Sequence, residues 1–133
     1  MIQANELRIG NWVQHDGYLL SLCGMDKKYA YVESNNTKDP YQHRKYFETI
    51  EPIPLTEEIL LKCGFENDDF CPEYNHYGIK YDEVANYWFN IQRKIGTEIF
   101  FFETNHSLTQ VQTVNQLQNL YFALTGEELI IEL

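Results

Sequence analysis

Residues 112–133, QTVNQLQNLYFALTGEELIIEL, hold the stretch that decides the fold. Thr113 and Gln116 stand at capping-box spacing: the threonine oxygen accepts from the Gln116 backbone N–H, and the glutamine side chain reaches back. From there Val114, Leu117, Tyr121 and Leu124 recur at helical spacing as one apolar stripe, widened by Leu120. Gly126 supplies the stop, because a left-handed residue costs least without a Cβ. Leu129, Ile130 and Ile131, between Glu128 and Glu132, then read as a short final strand. A stopped helix followed at once by a strand has to dock on a sheet made earlier in the chain. The stripe predicts that this helix lies on the sheet containing residues 99–102 and buries Leu117, Tyr121 and Leu124.

The totals bound the remainder. A chain of 133 residues makes one domain or two very small ones. With 44% hydrophobic and 15% aromatic residues it can bury a core, each fully buried phenylalanine contributing roughly 1.5–3 kcal/mol. No segment is long and apolar enough for a bilayer span. The start, MIQANELRIG, lacks the basic and apolar regions of a signal peptide, so the expected location is cytoplasmic. Cys23, Cys63 and Cys71 have no paired spacing and read as free, small apolar residues. A zinc reading would recruit Cys63, Cys71 and His76, but no C-x-x-C is present. No cofactor or metal is expected. The net charge of −10 disfavours a nucleic-acid binder, which needs a positive stripe, and a membrane-surface role for the same reason. It leaves a solvated acidic surface, or mimicry of nucleic-acid charge.

In chain order, residues 5–34 read as a small sheet. Leu7 and Ile9 alternate with polar neighbours, Gly10-Asn11 turns the chain, and Asp16-Gly17 is a hairpin signal. Residues 18–22 and 29–33 follow as strands around a turn with Gly24 and Asp26-Lys27-Lys28. This spacing predicts a small SH3-like barrel or meander. Residues 35–46, NNTKDPYQHRKY, read as a surface loop. They carry a local positive cluster, and Tyr41, His43 and Arg44 make it a candidate partner contact. Residues 47–50 are expected to close the first unit as a strand. Glu51-Pro52-Ile53-Pro54 is then an extended joint.

Thr56 caps a short helix, with Leu55 and Leu60 at hydrophobic-staple spacing. Glu57 and Glu58 suit its positive end, Lys62 its negative end, and Gly64 stops it. Residues 66–75, ENDDFCPEYN, read as an acidic connection; no glycine and distal glutamate complete a calcium loop. From Tyr77 the pattern is β again. Tyr87, Phe89 and Ile91 alternate with Trp88, Asn90 and Gln92, Gly96 marks a turn, and residues 99–102 are apolar on both faces, as in a central strand. Residues 107–111 make a weaker strand leading into the capped helix.

No G-x-G-x-x-G, P-loop, G-x-S-x-G or H-E-x-x-H motif occurs. His15, His43, His76 and His106 fall in turn or loop contexts. Residues 107–126 carry no charge. On the last helix Asn115, Gln116 and Asn119 oppose the stripe, with Gln112 just ahead of the cap. Interface cores are depleted in charge, so this amide face is a second candidate partner contact, most simply of a homodimer.

Three blocks carry a resemblance: NELRIGN at 5–11, IEPIPLTEEILLKCGF at 50–65 and NQLQNLYFALTGEEL at 115–129. Their content and order resemble a family of small uncharacterised proteins encoded in Bacteroides-type genomes near prophage or mobile-element genes. The likeness stops across residues 66–113, and Ile59 stands where the family often has a bulkier residue. The resemblance implies a cytoplasmic, phage-related setting and no activity.

The expected fold is α+β: a small SH3-like β unit over residues 1–53, then an antiparallel β-meander packing two helices over 54–133. The expected function is a non-enzymatic binding or accessory protein whose partner is another protein or a second copy. The alternatives are an acidic nucleic-acid-mimicking inhibitor and a small enzyme with a cysteine–histidine site.

Overall fold

The computed structural model describes residues 2, 4–33, 43–71, 73–103, 108–131 and 133, without the side chains of 4, 43 and 68–71. Two compact units are present: residues 1–54 with 113–119, and residues 55–112 with 120–133. The expected division at 53/54 thus falls one residue later. The start of the last helix goes with the first unit instead of the second. The fold is α+β, with one four-stranded and one five-stranded antiparallel sheet among the described residues.

The first sheet is a meander of β1 (Trp12–His15), β2 (Tyr18–Met25), β3 (Tyr29–Glu33) and β4 (His43–Tyr46), paired in that order. Asp16 (φ 48°) and Gly17 (φ 81°) both take positive φ, and His15 pairs with Tyr18. This is the two-residue hairpin that Asp-Gly favours. Alternation fills the core: Val13, Leu20, Leu22, Ala30 and Val32 join Ile2, Leu7 and Ile50, with Phe47 packed against them. Beyond β4 the chain returns to β1, where Gln14 and Glu51 exchange two backbone hydrogen bonds of 2.9 Å.

Two expectations change in this unit. Residues 43–46, read as loop, are a strand paired with β3. Residues 47–50, read as a strand, begin with a 3-10 turn, Phe47–Thr49. Phe47 N–H still donates to Lys28 O at 3.3 Å, but then the Ile50 N–H donates to Phe47 O and the Thr49 hydroxyl to Tyr46 O, so the chain turns on itself. The basic residues of β4 suit an edge strand, where charge discourages further pairing.

The second unit opens with α1 (Glu57–Lys62). Thr56 Oγ1 accepts from the Ile59 N–H at 3.2 Å. At the far end Phe65 N bonds Leu60 O and Gly64 N bonds Leu61 O, both 3.1 Å, with Gly64 at φ 94°. That is a Schellman ending, and it needs the glycine. Leu55, Leu60 and Cys63 are buried and Ile59 is half-buried.

Then come β5 (Glu66–Cys71), β6 (Tyr74–Asp82), β7 (Tyr87–Lys94), β8 (Phe100–Glu103) and β9 (Leu108–Gln110), ordered as numbered. Residues 66–71 are therefore a strand and not the expected connection. They lie at the sheet edge, where a polar, non-alternating sequence is tolerated. Phe89 is the hub of the core. It stacks on Phe102 at 5.2 Å and meets Phe65 and Tyr121 edge-on at 6.1 and 5.3 Å. Arg93 pairs with Glu57 at 2.9 Å, which explains that carboxylate without chemistry.

The last helix, α2 (Val114–Thr125), starts at the expected cap: the Gln116 N–H donates to Thr113 Oγ1 at 3.3 Å. Leu117 and Tyr121 are buried, but Leu124 is 52% exposed. At about 100° per residue, with Val114 as zero, Gln118 lies at about 40° and Leu124 at about −80°. The buried arc is centred nearer the glutamine than the leucine. The expected docking is partly corrected: Tyr121 meets the second sheet through Phe89, whereas Leu117 belongs to the first unit.

Residues 128–131 are not in a strand. Leu129 and Ile131 are buried and Ile130 is exposed, so alternate side chains pack although the segment joins no sheet. Among the described residues no helix is long and apolar enough to cross a membrane.

Candidate functional site

Two surfaces bring chemistry-bearing side chains together. The first is the outer side of β3 and β4. Ala30 and Val32 point into the core, so Tyr29 and Tyr31 point out. The register sets Tyr29 beside Tyr46 and Tyr31 beside Arg44. The Tyr29 and Tyr46 rings lie 4.8 Å apart, and the Arg44 guanidinium carbon sits 4.4 Å from the Tyr29 ring centroid.

Asp26 anchors the cluster from the β2–β3 turn. Its Oδ1 accepts the backbone N–H groups of Lys28 (2.9 Å) and Tyr29 (2.8 Å), and its Oδ2 accepts the Tyr31 hydroxyl at 2.9 Å. Those two backbone bonds, then the tyrosine, hold its carboxyl below the usual range. Tyr31 is raised chiefly by the same carboxylate, and Tyr29 by its hydrogen bond with Tyr46.

Of the candidate contacts expected on residues 35–46, Arg44 is in this cluster. His43 lies on β4 with its side chain outside the described residues, and Tyr41 lies outside them altogether. Sequence reasoning missed Tyr29, Tyr31 and Asp26. The signal was available in YAYVE, where small and branched residues alternate with outward tyrosines.

The amide face of α2 is turned inward in part, which corrects its reading as an open contact. Asn115 and Gln118 are buried. Gln118 accepts from the Trp12 N–H at 2.8 Å and donates to Gly10 O at 3.0 Å. Asn119 accepts from Asn11 Nδ2 at 2.8 Å and Arg8 Nε at 3.3 Å, and donates to Glu6 O at 3.0 Å. Asn115 donates to the same carbonyl at 3.3 Å. The segment before β1 bonds β2 through Gly10 N–H to Leu22 O and Leu22 N–H to Asn11 O, and these amides satisfy the Glu6 and Gly10 carbonyls and the Trp12 N–H besides. Gln112 and Gln116 remain at the surface. Glutamate at Asn119 would therefore disturb the monomer itself.

The second surface is a cavity of about 370 Å³ lined by Glu66, Asn67, His76, Gly78, Trp88 and Asn90. The ladder aligns Glu66, Gly78 and Asn90 in one row, with Lys80 and Trp88 in the next. Tyr77, Phe89 and Ile91 occupy the buried opposite face. A Cβ on Gly78 would lie 2.9 Å from Asn90 Oδ1 and 3.2 Å from Trp88 Cε3, so only glycine lets both side chains lie across the strand. His76, read from sequence as a loop residue, is on β6; His15 and His43 are likewise on β1 and β4.

Among the described residues no three His, Cys, Asp or Glu side chains converge as a metal site. The Cys71 side chain of the zinc reading lies outside them. Cys63 is a poor nucleophile, because burial pushes its thiol from 9.0 up to about 12. Below pH 9 folded and unfolded chains both keep this proton. Between 9 and about 12 only the folded chain keeps it, so stability falls as pH rises through that window. Urea midpoints should decline from about pH 8 to about pH 10, and Cys63→Ala should remove part of the decline. An identical decline in the variant would show that this thiol is not the group involved.

The chain matches no protein-family model, no curated protein and no solved structure.

Proposed function

We propose that this chain is a non-enzymatic binding protein whose first unit, an SH3-like meander, docks a partner protein across Tyr29, Tyr31, Arg44 and Tyr46. The observation that carries this is the outward aromatic–arginine cluster on adjacent strands. Tyrosine and arginine dominate interface energetics, offering large contact area at low entropic cost. The Gln14–Glu51 pairing, which turns the end of the meander back onto its first strand, favours the SH3-like reading. A cytoplasmic setting in phage or mobile-element biology rests on the sequence resemblance. The partner is another protein or a second copy of the chain, and sedimentation across a concentration series distinguishes these.

Tyr29→Ala with Tyr46→Ala should leave the fold intact, since both side chains lie outside the core. It should weaken partner capture from the native host, or self-association, by about tenfold or more, as loss of two interface aromatics requires. Undiminished capture by a folded double variant would remove this face from the reading.

A further inference from the structure

The cavity of the second unit carries a different inference. We infer that it is a binding site for a neutral sugar, seated against the Trp88 indole with its hydroxyls on Glu66, His76 and Asn90. This stands apart from the partner face of the first unit and does not depend on it.

Gly78 is the first observation. Glycine weakens a strand interior and marks places where another group approaches closely. Here the Trp88 ring leans over residue 78 and stays 41% exposed. The indole therefore covers the strand on one side and offers surface on the other. Its Nε1 donates to Asn86 Oδ1 at 3.4 Å, which helps hold the ring in place.

The polar lining selects the ligand. The Asn90 carboxamide, an imidazole and a carboxylate offer donors and acceptors in close company. An apolar ligand would leave them unpaired at a cost. A phosphate or carboxylate would meet Glu66, with no lysine or arginine among the described lining residues. The nearby Lys80 pairs with Glu83 at 3.5 Å and lies 5.8 Å from the Trp88 ring centroid. An organic cation is ordinarily enclosed by several benzenoid or indole rings, and among the described lining residues Trp88 alone supplies one. A sugar fits both demands: its hydroxyls donate and accept, and its C–H face suits the negative face of an indole. The volume, about 370 Å³, is near the small end for ligand sites, roughly 300–1,000 Å³. Among the described side chains one carboxylate lines the cavity, where glycoside hydrolysis ordinarily uses a pair.

The test uses the full chain and follows the indole N–H resonances by NMR; Trp88→Phe assigns the Trp88 signal against that of buried Trp12. Glucose, N-acetylglucosamine, maltose and cellobiose are titrated, with adenosine and choline as a neutral base and a cation. At least one sugar should shift the Trp88 signal saturably, and Trp88→Ala should weaken that sugar by about tenfold or more. Asn90→Ala, judged by backbone resonances, should weaken it while the chain stays folded. The inference is overturned if no sugar shifts the signal, if adenosine or choline alone does, or if sugar binding survives Trp88→Ala unchanged.

Discussion

Leu117→Ala should destabilise the protein by about 2–5 kcal/mol, the usual cost of truncating a fully buried leucine. The Leu117 side chain has no exposure, and it sits on the part of α2 that belongs to the first unit. Alanine keeps helix propensity, so the loss measures burial and the cavity left behind. Against a typical total of about 5–15 kcal/mol this is a large fraction. Urea unfolding should show a lower midpoint with an unchanged slope. Leu124→Ala is the matched control: same stripe, same helix, but a half-exposed side chain. Its effect should stay within about 0.5 kcal/mol. Equal effects at the two positions would mean that the helix is not rotated as described.

Gln118→Ala is the second large effect. The side chain is 3% exposed and bridges the Trp12 N–H to the Gly10 carbonyl. Removing it strands a buried backbone donor, which costs about 1–3 kcal/mol. The Gly10 carbonyl also loses its partner, while Asn119 keeps its own bonds to Glu6 and Asn11. The loss should therefore be substantial without unfolding the chain. It should not vary with protein concentration, because every bond involved lies within one chain. A loss that grows on dilution would show an intermolecular role for this amide instead. Amide exchange at Trp12 provides a direct local readout: its protection should fall more than that of Val13.

Much of the fold was legible in short stretches. Asp16-Gly17 specifies its hairpin through two positive φ angles, Thr56 and Gly64 bound the first helix, and alternation locates β3 and β7. Each of these depends on residues within a few positions of one another. The strand at 66–71 was illegible for the opposite reason. Nothing in ENDDFC alternates, and it is extended because β6 lies beside it and offers backbone groups to pair with.

The same division separates the two surfaces from their surroundings. That Tyr29 and Tyr31 point away from a core follows from the two-residue period of a strand. That Arg44 and Tyr46 stand beside them follows from a register between strands separated by the residues 34–42. Local sequence determined which positions could be caps, turns and buried stripes. Tertiary structure alone decided that Gln118 and Asn119 complete the backbone of residues 6–12, and that Glu66, His76, Trp88 and Asn90 gather over Gly78. A cap or a turn is satisfied by its own neighbours. A polar side chain or a glycine acquires its role from whatever distant backbone the fold brings against it.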